Sequence, residues 1–112
     1  MKIYHNPRCA KSRDTLKIIK EQGVEPEIVE YLKETPSKDE LKDVINMLGV
    51  SPQDIIRKGE AAYKENFKGK DLSDDEWLEA MVEYPKLIER PIVIKGDKAV
   101  IGRPPENVKE LL

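Results

Sequence analysis

Cys9 is the only cysteine of the chain, and it sits in His5-Asn6-Pro7-Arg8-Cys9-Ala10-Lys11-Ser12-Arg13. Those residue types in that order suit a reactive thiol. The thiolate is the nucleophile, and nearby cations or a helix N-terminus lower a free cysteine's pKa from about 8.5 to roughly 3.5–7.5. Arg8, Lys11 and Arg13 supply cations. The flanking pattern supplies a helix start. Ile3-Tyr4 reads as the end of a short strand, and Asn6-Pro7 breaks it, because the residue before a proline is pushed out of the helical region. Leu16, Ile19 and Lys20 then recur three and four apart, and Gly23 is placed to stop the helix. Cys9 is therefore expected on a strand-to-helix turn, facing unpaired N–H groups and the positive end of a helix dipole. A thiolate there is both a nucleophile and one wall of an anion site. The competing reading is a small buried hydrophobe, a common role for free cysteine. The basic neighbours and the turn placement favour reactivity.

Four arginines stand beside expected element ends and could converge on that site: Arg8, Arg57, Arg90 and Arg103. Arginine offers a planar, permanently charged fork of donors suited to oxyanions. A thiolate with two or three of them could bind and attack a tetrahedral oxyanion. With 20 Lys and Arg in the chain, each arginine taken alone reads better as a solvated surface residue. His5, four residues before Cys9, can pair with the thiolate, pair with an aspartate or close the strand end. Position does not choose among these. Ser12 can donate to the Cys9 thiolate, cap the helix, or do both. Trp77 and Met81 are at helical spacing and read as core. Asp74-Asp75-Glu76 resembles a metal cluster, but a capped first turn complementing the helix dipole explains it better.

Composition bounds the remaining choices. A chain of 112 residues is expected to form one domain. Charged residues are 38% and aromatics 5%, so the surface is well solvated and the core mostly aliphatic. A net charge of −2 gives no reason to expect nucleic acid or an anionic membrane as partner. No apolar run approaches the roughly 20 residues of a membrane span, and no signal-peptide pattern follows Met1. A cytoplasmic monomer is the expectation. One cysteine permits no disulfide within the chain, and Cys9-Ala10-Lys11-Ser12 is C-x-x-S where a dithiol redox enzyme carries C-x-x-C. Redox chemistry at Cys9 would need an outside thiol. One Cys and one His cannot build a zinc site of the usual nitrogen and sulfur ligands, and no bound cofactor or metal is expected. A phosphatase-type loop would carry arginine six residues after its cysteine, where this chain has Thr15.

The elements that must position these residues follow from periodicity and breakers. A first strand over 2–5 and a helix over 10–22 precede a second strand from Glu27 to Leu32. So short a crossover implies two parallel strands and a right-handed connection. Ser37-Lys38-Asp39-Glu40 and Ser73-Asp74-Asp75-Glu76 are capping boxes, and Gly49 and Pro85 end the helices they open. Ser51-Pro52 opens another helix, expected to stop around Arg57-Lys58-Gly59, and Glu60 to Phe67 a further short one. Residues 37–84 thus form a helical insertion. Pro91-Ile92-Val93-Ile94 and Ala99-Val100-Ile101 are β-branched runs joined by Lys95-Gly96-Asp97-Lys98, a hairpin. Arg103-Pro104-Pro105-Glu106 opens a last helix. The order β-α-β, helices, β-β-α predicts an α/β fold with a small mixed sheet.

Ile3-Tyr4-His5-Asn6-Pro7-x-Cys9-x-x-Ser12-Arg13 resembles the opening of the glutaredoxin-coupled arsenate reductase family. The similarity continues through Tyr31-Leu32-x-x-Thr35-Pro36, Ile56-Arg57-Lys58 and Leu87-Ile88-x-Arg90-Pro91-Ile92-Val93 to Arg103-Pro104, nearly the whole chain with motifs in order. The resemblance implies a thioredoxin-like fold spanning 1–112 as a single domain, with the helical insertion between strands two and three. It implies Cys9 as the nucleophile that attacks arsenate, Arg57, Arg90 and Arg103 as oxyanion ligands, and His5 and Ser12 tuning the thiolate. It also implies a cis Pro91 facing Cys9, glutathione as cosubstrate and glutaredoxin as the protein that completes reduction. Lys58-Gly59-Glu60 and Gly102 depart from the best-known arsenate reductases. Two other functions fit the same letters: a monothiol reductase or thiol transferase on another substrate, and a non-enzymatic partner-binding regulator. A related transcription regulator uses C-x-x-C as its redox switch, and Ser12 argues against that switch here.

Overall fold

In the computed structural model, which describes residues 1–112, the first strand is only three residues long. β1 spans Lys2–Tyr4 and ends where Asn6-Pro7 removes the backbone geometry and the donor that a strand needs. α1 follows over Ala10–Glu21, and β2 over Glu27–Val29 pairs parallel to β1, with Tyr4 opposite Val29. The second strand was expected to reach Leu32 and does not. The His5 N–H donates to the Val29 carbonyl at 2.8 Å, and beyond that β1 offers no partner. The chain turns instead, with Lys33 and Glu34 N–H groups both on the Glu30 carbonyl.

β3, Ile92–Lys95, runs antiparallel to β1 on its other side, and β4, Lys98–Ile101, pairs antiparallel with β3. Lys95 faces Lys98 across a two-residue turn whose first position, Gly96, has φ 62°. A glycine with positive φ there suits the right-handed twist of the flanking strands. The sheet order is β2-β1-β3-β4. This mixed four-stranded sheet with helices is the thioredoxin-like architecture that the resemblance implies. The register places Tyr4, the last residue of β1, opposite Ile92, the first of β3. The segment after β1 and the segment before β3 therefore emerge at one end of the sheet.

The chain divides into two compact units: Met1–Glu34 with Arg90–Leu112, and Thr35–Glu89. The first unit contains the sheet, α1 and a 3₁₀ helix over Pro105–Leu111, where a last α-helix was expected. Its core is Ile3, Ile19, Val93, Val108 and Leu111. The tightening to 3₁₀ keeps Val108 and Leu111, three residues apart, on one buried side, because residues i and i+3 eclipse in that helix.

The second unit contains α2 (Lys38–Leu48), α3 (Ala61–Asn66) and α4 (Asp74–Glu83), with 3₁₀ turns at Pro52–Ile55 and Pro85–Leu87. Ser37 and Ser73 accept from the N–H of Glu40 and Glu76, and both glutamates reach back to the cap N–H. Gly49 ends α2 in the left-handed region, φ 73°, at no Cβ penalty. Asp74, Asp75 and Glu76 form the acidic first turn of α4, which complements its dipole, and Asp75 and Glu79 both pair with Lys38, tying α4 to α2. Trp77 and Met81 are buried. No group of three His, Cys, Asp or Glu is placed to hold a metal ion, and no helix is long and apolar enough to cross a membrane.

Candidate active site

Cys9 is the N-cap of α1, with extended backbone (φ −94°, ψ 122°). Its amide donates to the Asn6 carbonyl at 3.0 Å, and its own carbonyl accepts from Arg13 N–H at 3.0 Å. The sulfur therefore stands at the mouth of the first turn, half-buried. Its side chain makes no capping hydrogen bond of strict geometry, yet the first-turn N–H groups act on it. Burial works against ionisation here. It is outweighed by the backbone N–H groups of Ser12 and Lys11, the charge of Arg90 and a hydrogen bond from Arg103, and the thiol's pKa is held below its ordinary value.

The cations that lower the thiol's pKa come from the far end of the chain, not from the adjacent basic residues. Arg103 Nη1 donates to Cys9 Sγ at 3.9 Å and to the Arg90 carbonyl at 3.2 Å. Each of these arginines precedes a cis proline, Pro91 and Pro104. Arg13 is turned away, its Nη1 donating to the Pro7 carbonyl. Arg8 is exposed, its amide on the Asn6 side-chain oxygen in an Asx turn. The structure thus brings Cys9, Arg90 and Arg103 together. Arg57 lies in the second unit. The expected helix ends at Ile55, and Ile56 is already extended and bridged to Ile88. Arg57 consequently stands in an extended segment, its amide on the Leu87 carbonyl and its guanidinium paired with Glu60.

His5 and Ser12 form a buried pair that joins the end of β1 to the first turn of α1. His5 Nδ1 lies 2.5 Å from Ser12 Oγ, and Oγ also accepts the Asn6 N–H at 3.0 Å. Ser12 is fully buried. Its hydroxyl is directed to His5 and Asn6, and it is the Ser12 backbone N–H that favours the Cys9 thiolate. Burial, with smaller contributions from Lys20 and Arg13, outweighs the opposing charge of Glu30 and pushes the His5 pKa below 6.5. That shift favours the neutral imidazole.

Three supports of this site were not apparent from the sequence. Thr15, fully buried on α1, donates to the Lys11 carbonyl at 2.8 Å and reaches the Gly102 carbonyl at 3.5 Å. Gly102 N–H donates to the Pro91 carbonyl at 2.9 Å. Asn107 donates to the carbonyls of Ile101 and Arg103, both at 3.2 Å. The pairing of Thr15 with Gly102 spans 87 positions and leaves no local pattern. The second cis proline had one visible signal, the repetition of Arg-Pro at 90–91 and 103–104.

The ArsC family model matches residues 4–111. The uncharacterized protein YfgD of Escherichia coli K12 is 50% identical over 100% of this chain and 96% of its own length. The arsenate reductase of Haemophilus influenzae is 46% identical over 98% of this chain and 97% of its own. Among solved structures, an arsenate reductase from Vibrio cholerae superposes with a TM-score of 0.94 at 48% identity, covering 99% of this chain and 96% of that one.

Proposed function

This chain belongs to the ArsC family, and we propose that it is an arsenate reductase-like oxidoreductase acting through Cys9 with glutathione and glutaredoxin. The observation that carries this reading is the thiol at the N-cap of α1, its pKa held low by the first-turn N–H groups, Arg90 and Arg103. Those features favour an anion at the spot where the nucleophile stands. An oxyanion held there presents its central atom to Sγ and its oxygens to the arginine donors. Arg90 and Arg103 are the anion ligands in this reading. Arg57 joins them on the sequence pattern alone.

The Cys9 thiolate attacks As(V), a sulfur–arsenic bond forms, and an arsenate oxygen leaves as water with protons from solvent. Glutathione adds to the arsenic in the same way. A glutaredoxin thiolate then attacks the glutathione sulfur; a mixed disulfide forms, and the electron pair of the broken sulfur–arsenic bond reduces arsenic to As(III). Water releases arsenite and returns Cys9 as thiolate. The external thiols supply both electrons, as a chain with one cysteine requires. His5 and Ser12 tie the turn before α1 through the Ser12 hydroxyl, which also takes the Asn6 N–H. The protein works in the cytoplasm as a monomer.

The test is arsenite production from arsenate with glutathione and glutaredoxin supplied together, then with each omitted. Production only when both are present is expected. Equal production with either omitted would reject the coupling. No production under any of these conditions would reject arsenate as substrate.

A further inference from the structure

The guanidinium that bonds the thiol sits on the loop leaving β4, and the contacts of that loop with α1 set how deeply it seats. Arg103 follows Gly102, and Gly102 is buried. A Cβ added to Gly102 would lie 2.5 Å from Thr15 Oγ1, 2.8 Å from Pro91 Cγ and 3.1 Å from Thr15 Cγ2. Real Cβ atoms do not come as close as the first two of these, so Gly102 is the residue that lets β4's exit rest directly on α1 and on Pro91. Its backbone is engaged on both sides. The N–H bonds the Pro91 carbonyl, and the carbonyl faces Thr15 Oγ1. Asn107 pins the Ile101 and Arg103 carbonyls that flank it.

We infer that Thr15 and Gly102 are positioning residues for the Cys9 site: their contact fixes the depth at which the Arg103 loop seats on α1, and so where the Arg103 guanidinium stands relative to Sγ. Cys9 is the N-cap of the helix that carries Thr15 about one and two-thirds turns on. Arg103 is the residue next to Gly102, and Arg90 the residue next to Pro91. A methyl group at position 102 must push against both neighbours, shifting the segments that carry the two cations relative to the sulfur. Coulomb attraction at about 4 Å changes steeply with separation, so a displacement of a fraction of an ångström is felt at the thiol. The inference rests on Cys9 being the reacting group of the proposed function, and not on the identity of the oxyanion.

The experiment is the rate of iodoacetamide alkylation of Cys9 against pH, which reads the thiolate directly and needs no substrate. Gly102→Ala is expected to slow alkylation at pH 6 about threefold or more and to move the profile's midpoint upward. Adding Thr15→Ala, which removes both Thr15 atoms that the new methyl meets, should restore much of the rate. In an Arg103→Ala background Gly102→Ala should add much less, since the group it displaces is gone. Where Gly102→Ala does not fold, Thr15→Ile presses on the same contact from the helix side and should slow alkylation in the same direction. A folded Gly102→Ala or Thr15→Ile protein with the wild-type profile would overturn the inference. So would full additivity of Gly102→Ala with Arg103→Ala. A wild-type protein that alkylates slowly at every pH below 8 would instead remove the reactive thiol itself.

Discussion

Arg103 Nη1 reaches Cys9 Sγ at 3.9 Å and the Arg90 carbonyl at 3.2 Å. One guanidinium thus ties the N-cap of α1 to the loop that enters β3. The donor is charged at every pH, so ionisation of the sulfur turns the contact into an ion pair, and it is one of the influences holding the thiol's pKa below its ordinary value. Arg103→Ala should slow Cys9 alkylation at pH 6 about tenfold, and Arg103→Lys should recover part of that loss because it keeps the charge without the fork. Alkylation profiles of the three proteins check this.

Oxyanion binding separates the reductase from a simple thiol transferase. Removing a preorganised donor from a developing oxyanion typically lowers the rate by roughly 10²–10³. Arg90→Ala should lower kcat/KM for arsenate by about that range, with Cys9 still alkylated. Unchanged kinetics in Arg90→Ala would favour a thiol transferase whose substrate carries no oxyanion.

The His5–Ser12 pair predicts a pH-dependent stability. Burial holds the His5 pKa in the folded chain below 6.5. Between that lowered value and 6.5 the unfolded chain binds the proton and the folded chain does not. Stability is therefore full above 6.5 and falls as pH drops below it. Denaturant titrations from pH 8 to 5 should show this slope in wild type and a shallower one in His5→Gln. Ser12→Ala leaves the Asn6 N–H and the His5 ring nitrogen without this oxygen, and should cost about 1–3 kcal/mol at pH 7.

Ser73 caps α4, whose Trp77 is buried. Ser73→Ala should destabilise by about 1 kcal/mol and leave the pH profile of Cys9 alkylation unchanged. Thermal denaturation followed by tryptophan fluorescence, run beside alkylation, distinguishes this from an effect on the site.

What the sequence made legible was local. The strand–turn–helix around Cys9, both capping boxes and the hairpin at Gly96 each follow from residues a few positions apart. The errors came where neighbours in space decide. The second strand stopped at Val29 because β1 had ended, and the helix opened by Pro52 gave way at Ile56 to a bridge with Ile88. That bridge puts Arg57 in an extended segment and not at a helix end. At the candidate site, the nucleophile and the arginines were visible as residue types, but Arg8, Lys11 and Arg13 were equally so. The side-chain cations that act on the sulfur are Arg90 and Arg103, brought there by the β1–β3 register and by the Thr15–Gly102 contact. No window of sequence contains either.

The most direct measurement of the central claim is NADPH consumption coupled through glutathione and glutaredoxin, with arsenate as acceptor, for wild type beside Cys9→Ser. Arsenate-dependent consumption is expected in wild type, and none above background in the variant. Equal rates in the two proteins would contradict Cys9 as the nucleophile. No arsenate-dependent rate in wild type, with Cys9 still alkylated rapidly at pH 6, would contradict arsenate as the oxyanion that this thiol attacks.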